Sequence, residues 1–491
     1  MVLNAVASIV LTPILLWAMG VDNYGTYMAF AAVLSVASAG EAGLGGAVGI
    51  NTNRLLADSA SSRFQRLHET ARTAFVLITC LTAVVFVMVG LLFHGDIGFA
   101  QTPKTGPIWL LFCLGGINVV TSTMISYLSN SAYGAGTVMW SIVPLFVLSL
   151  SCTILQIGVA SVADALWLIH LPSVACALLG VFVWYLIYRN SNYQFGPPIR
   201  FGWHTSERGL LFSSALFSSM FGLANLIYTA TDRIVINWAF GAKAVPAYQL
   251  NYKLVELSLS LTIMAGMVSL PKIVSGMLSK ESSESARAAK SSRTLASYQG
   301  ILGLTAATGY IVFNDTFIRL WVGHEMNAST WIQVAFAMYL ILVSSGDIFV
   351  QLCGRLSEPG LRFAGVVVLA GGFLNLGLSV FAAYSLRWLP GVAFSTCIAQ
   401  FLVCATILWR VQTVMGINYT REGVKVLLIP LGIVLCIAVL KASMGAFSTV
   451  GIVLQAIAGL VMIVGYAKLI GVDRESVILE IVGMWHAFRS K

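Results

Sequence analysis

The chain has 491 residues, of which 58% are hydrophobic and only 10% charged. A soluble chain of this length carries about a quarter charged residues, so the composition excludes a cytosolic enzyme, a secreted domain and a disordered polymer and leaves a polytopic membrane protein. The net charge of +9 comes from Lys and Arg scattered over short connections rather than from one dense run, which argues against a nucleic-acid surface.

In chain order, fourteen stretches have the apolar length of a membrane span, about 20 residues each. They cover 2–20, 24–46, 73–93, 108–130, 138–157, 165–187, 209–231, 246–274, 297–316, 331–353, 363–384, 389–409, 425–443 and 448–470. The first run has no basic segment before it and no cleavage-like site after it, so it reads as a span rather than a signal peptide. Most Lys and Arg fall in the even-numbered connections and the C-terminal tail. The odd-numbered connections hold only Lys104, Lys243, Arg319, Arg387 and Lys441. That bias predicts cytoplasmic N- and C-termini. The longest connections, near 51–72, 188–208 and 275–296, read as surface-lying amphipathic segments. No connection is long enough for a soluble catalytic domain.

The eight cysteines are Cys80, Cys113, Cys152, Cys176, Cys353, Cys397, Cys404 and Cys436. They lie in or beside apolar runs with no CxxC pair, and read as small hydrophobes rather than disulfides or metal ligands. The chain has no GxxxxGK[ST] loop, no HExxH and no loop-borne carboxylate pair. This points to no catalytic residues, no metal, no bound cofactor and no ATP hydrolysis by the chain itself.

An internal repeat runs at an offset of 221. Trp17-Ala18-Met19-Gly20 returns as Trp238-Ala239-Phe240-Gly241, Tyr27 as Tyr248, Ser61-Ser62 as Ser282-Ser283, and Arg72-Thr73 as Arg293-Thr294. Six spans separate the copies, so both have the same orientation, as in parallel-repeat transporters whose site lies between the lobes. The fold expected is all-α, with two six-helix lobes and two extra C-terminal helices. The expected division is an N-lobe at 1–190, a cytoplasmic linker at 191–208, a C-lobe at 209–411, the extra pair at 412–470 and a tail at 471–491.

The stretch from Trp17 to Leu56 has a Gly20 turn, Tyr24-Gly25, and Glu41-Ala42-Gly43 ahead of a basic loop. Thr229 to Leu254 has Asp232-Arg233, the Gly241 turn and Tyr248. Phe317 to Met326 contains Trp321-Val322-Gly323, and 349–400 contains a Gly turn, an Asn-bearing span and Pro390-Gly391-Val392-Ala393. These features resemble bacterial polysaccharide-repeat-unit (O-antigen or exopolysaccharide, Wzx-type) flippases. That family shares a superfamily with multidrug/toxin extruders and lipid II flippases. The resemblance implies a MATE-like fold in the bacterial inner membrane. It also implies movement of an undecaprenyl-pyrophosphate-linked oligosaccharide to the outer leaflet by alternating access. An H+ or Na+ gradient would drive it, as implied for relatives, and the polysaccharide polymerase and chain-length regulator would be partners besides the membrane lipids. One departure is the absence of a short basic segment before the first span.

Ionisable groups in a span cost about 2.5–3.5 kcal/mol at its centre and usually face a partner or a wet cavity. Arg233, next to Asp232, sits about 12 Å from the Gly241 turn at ~1.5 Å per residue. It is suited to a pyrophosphate, or to an ion pair with a nearby acid. Lys253 and Glu256 are three apart on one helix face, either a switchable cavity pair or a self-neutralised one. Glu41 and Asp347 are candidates for a coupling cation or a sugar hydroxyl; Glu41 could equally cap a Gly-rich helix end. Asn225, Asn375 and Gln400 can bond sugar hydroxyls or neighbouring helices. His170 reads as a helix–helix contact rather than a proton relay. Two other functions fit the composition. A multidrug cation antiporter would favour an acidic cavity, and span 1 has no acid. A membrane-embedded polymerase would need larger, charge-rich outer loops than these.

Overall fold

The computed structural model describes residues 2–37, 61–92, 108–134, 138–160, 170–190, 200–277, 282–356, 358–415, 424–444 and 449–470, with a few single positions between 43 and 51 and at 168. Among them all regular structure is helical. The long helices are α1 Val2–Met19, α2 Val21–Ala37, α3 Ser61–Leu92, α4 Ile108–Gly134, α5 Val138–Ala160, α6 His170–Asn190 and α7 Thr205–Phe240. They continue as α8 Ala244–Met277, α9 Ser282–Trp321, α10 Thr330–Leu356, α11 Glu358–Tyr384, α12 Leu389–Met415, α13 Ile429–Met444 and α14 Thr449–Leu469. Each coincides with one of the fourteen expected spans. Nine described segments are long and apolar enough to cross a membrane, and α1, α5 and α6 carry shorter apolar stretches. The protein is a multi-pass membrane protein.

Helices are the obligatory choice here, because in hydrocarbon every backbone N–H and C=O must be satisfied within its own segment. Two of the segments expected to lie on the membrane surface instead prolong spans. Residues 61–72 form the first three turns of α3, and α9 starts at Ser282. Burial explains the first case. Phe64, Leu67 and Ala71 pack with Leu44, Ala47, Val48, Phe75, Tyr127, Leu211 and Ala215 in one core, so this end of α3 is held by packing rather than by lipid.

The repeat is visible in the backbone. Gly20 ends α1 with φ of 76° and Gly241 ends α7 with φ of 86°. Both are left-handed positions that only glycine takes cheaply, and they are repeat equivalents. The packing repeats as well. In the first half α3 packs on α4, α4 on α5 and α6, and α5 on α6; in the second half α9 packs on α10, α10 on α11 and α12, and α11 on α12. The extra helices α13 and α14 pack on each other and on α9.

By contacts the chain forms two compact units, one spanning Leu3–Pro246 and the other comprising Met1–Val2 and Ala247–Lys491. The repeat restarts at α7, yet the compact division falls after it, so α7 groups with α1–α6 rather than with the second half. Close backbone approach is the reason. A Cβ at Gly43 would lie 1.8 Å from the Ser219 Oγ on α7, and one at Gly25 would lie 2.1 Å from the carbonyl oxygen of Ala242. Only glycine lets the chains come this near. The exposed pair Lys243–Asp22, at 3.6 Å, adds little at such exposure.

Gly43→Val must therefore push α7 off its seat, at a cost of about 1–3 kcal/mol. The detergent-solubilised variant should unfold at a lower temperature than wild type. Gly209→Ala, in α7 with open space around its Cβ position, should unfold at the same temperature or slightly higher, because Ala is the better helix former.

Candidate substrate-binding site

In the Leu3–Pro246 unit, α7 carries three of the expected site residues. Asp232 is buried, Arg233 is half-buried and Asn225 is exposed. Asn225 and Asp232 are seven residues apart and so share a helix face. The Arg233 charge acts on the phenol of buried Tyr24 in α2, which hydrogen-bonds Thr12 of α1. From there a chain of polar and aromatic groups crosses the unit. Tyr24 stacks with Tyr27 at 6.3 Å between centroids. Tyr27 hydrogen-bonds Gln156 of α5 and lies 5.2 Å from the ring of His170 at the start of α6. Gln156 Nε2 donates to Ser173 Oγ of α6 at 2.9 Å. Five helices thus contribute to one ladder: Arg233, Thr12, Tyr24, Tyr27, Gln156, His170 and Ser173.

His170 keeps the contact role expected of it, with Tyr27 on one side and Phe30 at 5.2 Å on the other. Sequence reading missed Tyr24 and Gln156, and took Tyr27 only as a repeat marker. The available signal was the i, i+3 spacing of Tyr24 and Tyr27, which places two phenols on one face of an otherwise apolar span.

In the Ala247–Lys491 unit, Lys253 and Glu256 do meet: Lys253 Nζ lies 3.0 Å from Glu256 Oε2, with Glu256 about half exposed. Asp347 on α10 accepts a bond from Gln351 Nε2 at 3.4 Å. Asn375 on α11 is fully buried and accepts a bond from Ser379 Oγ at 3.4 Å, so it serves the interior of the unit. Gln400 Nε2 donates to Cys404 Sγ at 3.6 Å. Glu41 lies outside the described residues. The expected candidates of this unit therefore sit on separate helices, apart from the Lys253–Glu256 pair.

The densest polar node in this unit was not among the expected residues. Lys441 Nζ lies 2.6 Å from Asp315 Oδ2 and donates to Gln333 Oε1 and to the Ile311 carbonyl, both at 2.7 Å. Gln333 Nε2 in turn donates to Asp315 Oδ1. Beside it, Asn314 Nδ2 donates to Asn251 Oδ1 at 2.6 Å, and Asn251 Nδ2 donates to the Met326 carbonyl at 3.1 Å. The node joins α8, α9, α10 and α13. Lys441, counted with the odd-numbered connections although it falls at the end of the expected span 425–443, lies inside α13 and is 3% exposed. The helix runs on to Met444, so the ammonium must turn inward to an acid or stay unpaired in lipid. Asp315 and Lys441 both sit within two residues of the end of their expected spans, on the same side of the membrane. That coincidence was the readable signal.

Among the described residues no group of three His, Cys, Asp or Glu side chains could hold a metal ion. Chemically the first unit offers a half-buried guanidinium whose charge is felt at the Tyr24 phenol, and a ladder of phenols and amides beyond it, suited to an anionic, hydroxyl-rich ligand. The second offers an exposed Lys–Glu pair and a closed internal ion pair.

Comparison with known proteins agrees with this architecture. A family described as "Polysaccharide biosynthesis protein" matches residues 65–330, more than half of the chain, and the protein belongs to that family. Among solved structures it is similar to the lipid II flippase MurJ in an inward closed conformation, with a TM-score of 0.64 and 14% identity, covering 96% of this chain and 98% of that one. It is also similar to an inward-facing multidrug resistance MATE family transporter of the MOP superfamily (TM-score 0.66, 12% identity, 85% and 95% covered). A third likeness is to a mutant of the Vibrio cholerae MATE transporter VcmN (TM-score 0.60, 13% identity, 85% and 95% covered). At these identities the likeness establishes the fold. No curated protein sequence matches.

Removing one partner of the Lys441–Asp315 pair leaves an uncompensated buried charge, at about 3–5 kcal/mol. Lys441→Met and Asp315→Asn should each lower the unfolding temperature of the purified protein sharply. The double variant Lys441→Met, Asp315→Leu should recover most of the loss in the same melting assay.

Proposed function

We propose that this protein flips an undecaprenyl-pyrophosphate-linked oligosaccharide repeat unit from the cytoplasmic to the outer leaflet, by alternating access, for polysaccharide biosynthesis. The observation that carries the reading is Arg233, a half-buried guanidinium inside span α7 whose charge is felt at the Tyr24 phenol, where the Tyr24–Tyr27–Gln156–Ser173 ladder begins. A guanidinium stays charged at any working pH and binds phosphate oxygens bidentately, while phenols and amides suit sugar hydroxyls. Membership of a polysaccharide biosynthesis family and a fold shared with a lipid II flippase both support it. In this reading Lys253 adds a second cationic contact, exchanging Glu256 for the anionic lipid. Asn225, Asp232, Glu41 and Asp347 bind sugar or coupling ion, and the driving force is an H+ or Na+ gradient. The protein works in the bacterial inner membrane with both termini cytoplasmic, alongside the polymerase and chain-length regulator.

The test is deletion of the gene followed by localisation of the lipid-linked repeat unit. Accumulation on the cytoplasmic leaflet, rescued by wild type, is the expected result. Arg233→Ala should restore less than a tenth of the surface polysaccharide, since losing one charge-assisted phosphate contact is worth about 1.5–3 kcal/mol. Arg233→Lys, which keeps the charge without the fork, should be intermediate. Normal polysaccharide with new sensitivity to cationic drugs would overturn the reading in favour of a multidrug antiporter.

A further inference from the structure

A short strap, residues 200–204, leads into α7 and lies along the first turns of α3. It is bonded down at three points. Gly202 N–H donates to Thr73 Oγ1 at 3.2 Å, and the same hydroxyl donates back to the Gly202 carbonyl at 2.9 Å. His204 N–H donates to Thr70 Oγ1 at 3.2 Å. The His204 ring sits 2.8 Å from Glu69 Oε2. A Cβ on Gly202 would lie 2.8 Å from His204 Nε2 and 3.0 Å from Glu69 Oε2, so a side chain there would displace the His204–Glu69 pair. In the first turn of α7, Glu207 is buried and pairs with Arg63 of α3 at 3.3 Å.

Among the described residues this clamp takes up the two nearby acids. Glu69 is taken by His204 and Glu207 by Arg63. The exposed arginines Arg66, Arg200 and Arg208 have no ion-pair partner among the described residues. Arg66 is one turn from Arg63 and one turn from Thr70, so it rises from the same α3 face that holds the strap. Between the arginines the strap presents Phe201, 58% exposed, and Trp203, 42% exposed. The Trp203 ring packs edge-on against Phe212 of α7 at 5.9 Å. Phe212 and, one turn on, Leu216 are themselves exposed, so the aromatic surface runs without a break into the lipid-facing side of α7. On α3 the same is true of Leu77 and Leu81, which follow Thr73 at intervals of four.

This arrangement fits the boundary between acyl chains and headgroups: the exposed Phe201 and Trp203 rings adjoin the apolar surface of α7, and beside them stand arginines without an ion-pair partner among the described residues. Trp with Arg in this arrangement is the chemistry of an interfacial anchor. The surplus positive charge selects for anionic headgroups.

We propose that this strap is a binding site for the phosphate headgroups of anionic phospholipids, with Arg66, Arg200 and Arg208 as the phosphate contacts and Phe201 and Trp203 as the apolar footing. The bound lipid ties the start of α7 to the start of α3 from outside, reinforcing the Thr73, Thr70 and Glu69 contacts within. The occupant is bulk phospholipid, not the transported substrate, and the proposal stands independently of the function assigned above.

The test is lipid retention by the purified full-length protein, measured by native mass spectrometry after titration with phosphatidylglycerol or phosphatidylcholine of matched acyl chains. Wild type should retain phosphatidylglycerol preferentially, and the preference should shrink as ionic strength rises. Arg200→Gln with Arg208→Gln should weaken phosphatidylglycerol retention on the order of tenfold or more, at about fivefold per surface arginine. Phosphatidylcholine retention should change little. Because both arginines are exposed, the double variant should keep the wild-type melting temperature. Should it not, Arg66→Gln alone and the salt dependence of the wild type carry the same test. Equal retention of the two lipids by wild type, or phosphatidylglycerol retention within twofold of wild type in the arginine variants, would overturn the proposal, including the case in which the strap seats a protein instead.

Discussion

A polar side chain on a helix surrounded by hydrocarbon has to find its partner inside the protein, because lipid offers none. That constraint orders many of the polar groups described in this molecule. Lys441 reaches Asp315, Gln333 and a carbonyl of α9. Tyr27 reaches Gln156, and Ser379 reaches Asn375. Many hydroxyls simply return to their own helix: Thr26, Thr121, Thr123, Ser131, Thr153 and Ser395 each bond a carbonyl three or four residues back. What tertiary structure must then supply is partners for groups too long or too charged for that solution. Such groups are few, and they mark where helices are fixed to one another.

The second constraint is distance. Helices in a membrane gain nothing from excluding water from one another, so they associate where small residues let them come close. Gly43 against Ser219 of α7, and Gly25 of α2 against Ala242 in the turn after α7, are such places, and both hold α7 and its turn to the first helices. They account for a division that counting spans does not reveal. The repeat in the sequence restarts at α7, but the contacts keep α7 with the helices before it. The chain leaves that body only after the Gly241 turn. Repeat boundary and packing boundary differ by one helix because close glycine contacts, not sequence order, decide which helix moves with which.

The fourteen helices were legible in the sequence because hydropathy is a bulk property, and so was the repeat, because Gly20 and Gly241 are demanded by the same left-handed turn. The Lys253–Glu256 pair was legible because i, i+3 spacing is local. What was not legible needed two distant segments at once. Lys441 sits near a span end and so counted as a loop charge, and only the placement of α13 against α9 shows it buried. The Tyr24–Arg233 relation spans more than two hundred residues. Asn375 looked like a ligand-binding group because a polar residue in a span is unusual, yet it bonds within its own helix. Glu69 and His204 were unremarkable loop-end residues until the strap brought them together.

The two units differ in how their polar groups are finished, and the difference bears on which can respond to a ligand. The Lys441–Asp315–Gln333 node is closed. The ammonium has three acceptors, the carboxylate is bonded on both oxygens, and each partner is buried. Opening it would strand a charge, so it fixes α13 to its neighbours in a single arrangement. The Arg233 ladder and the Lys253–Glu256 pair are of another kind. The ladder is built from phenols, amides and hydroxyls that exchange partners at low cost, and Glu256 is half exposed to the outside of its unit. A side chain that must release one partner to take up a charged ligand needs that freedom. The closed ion pair thus lies where the helices are fixed to one another, while the ladder and the Lys253–Glu256 pair keep groups that can change partners.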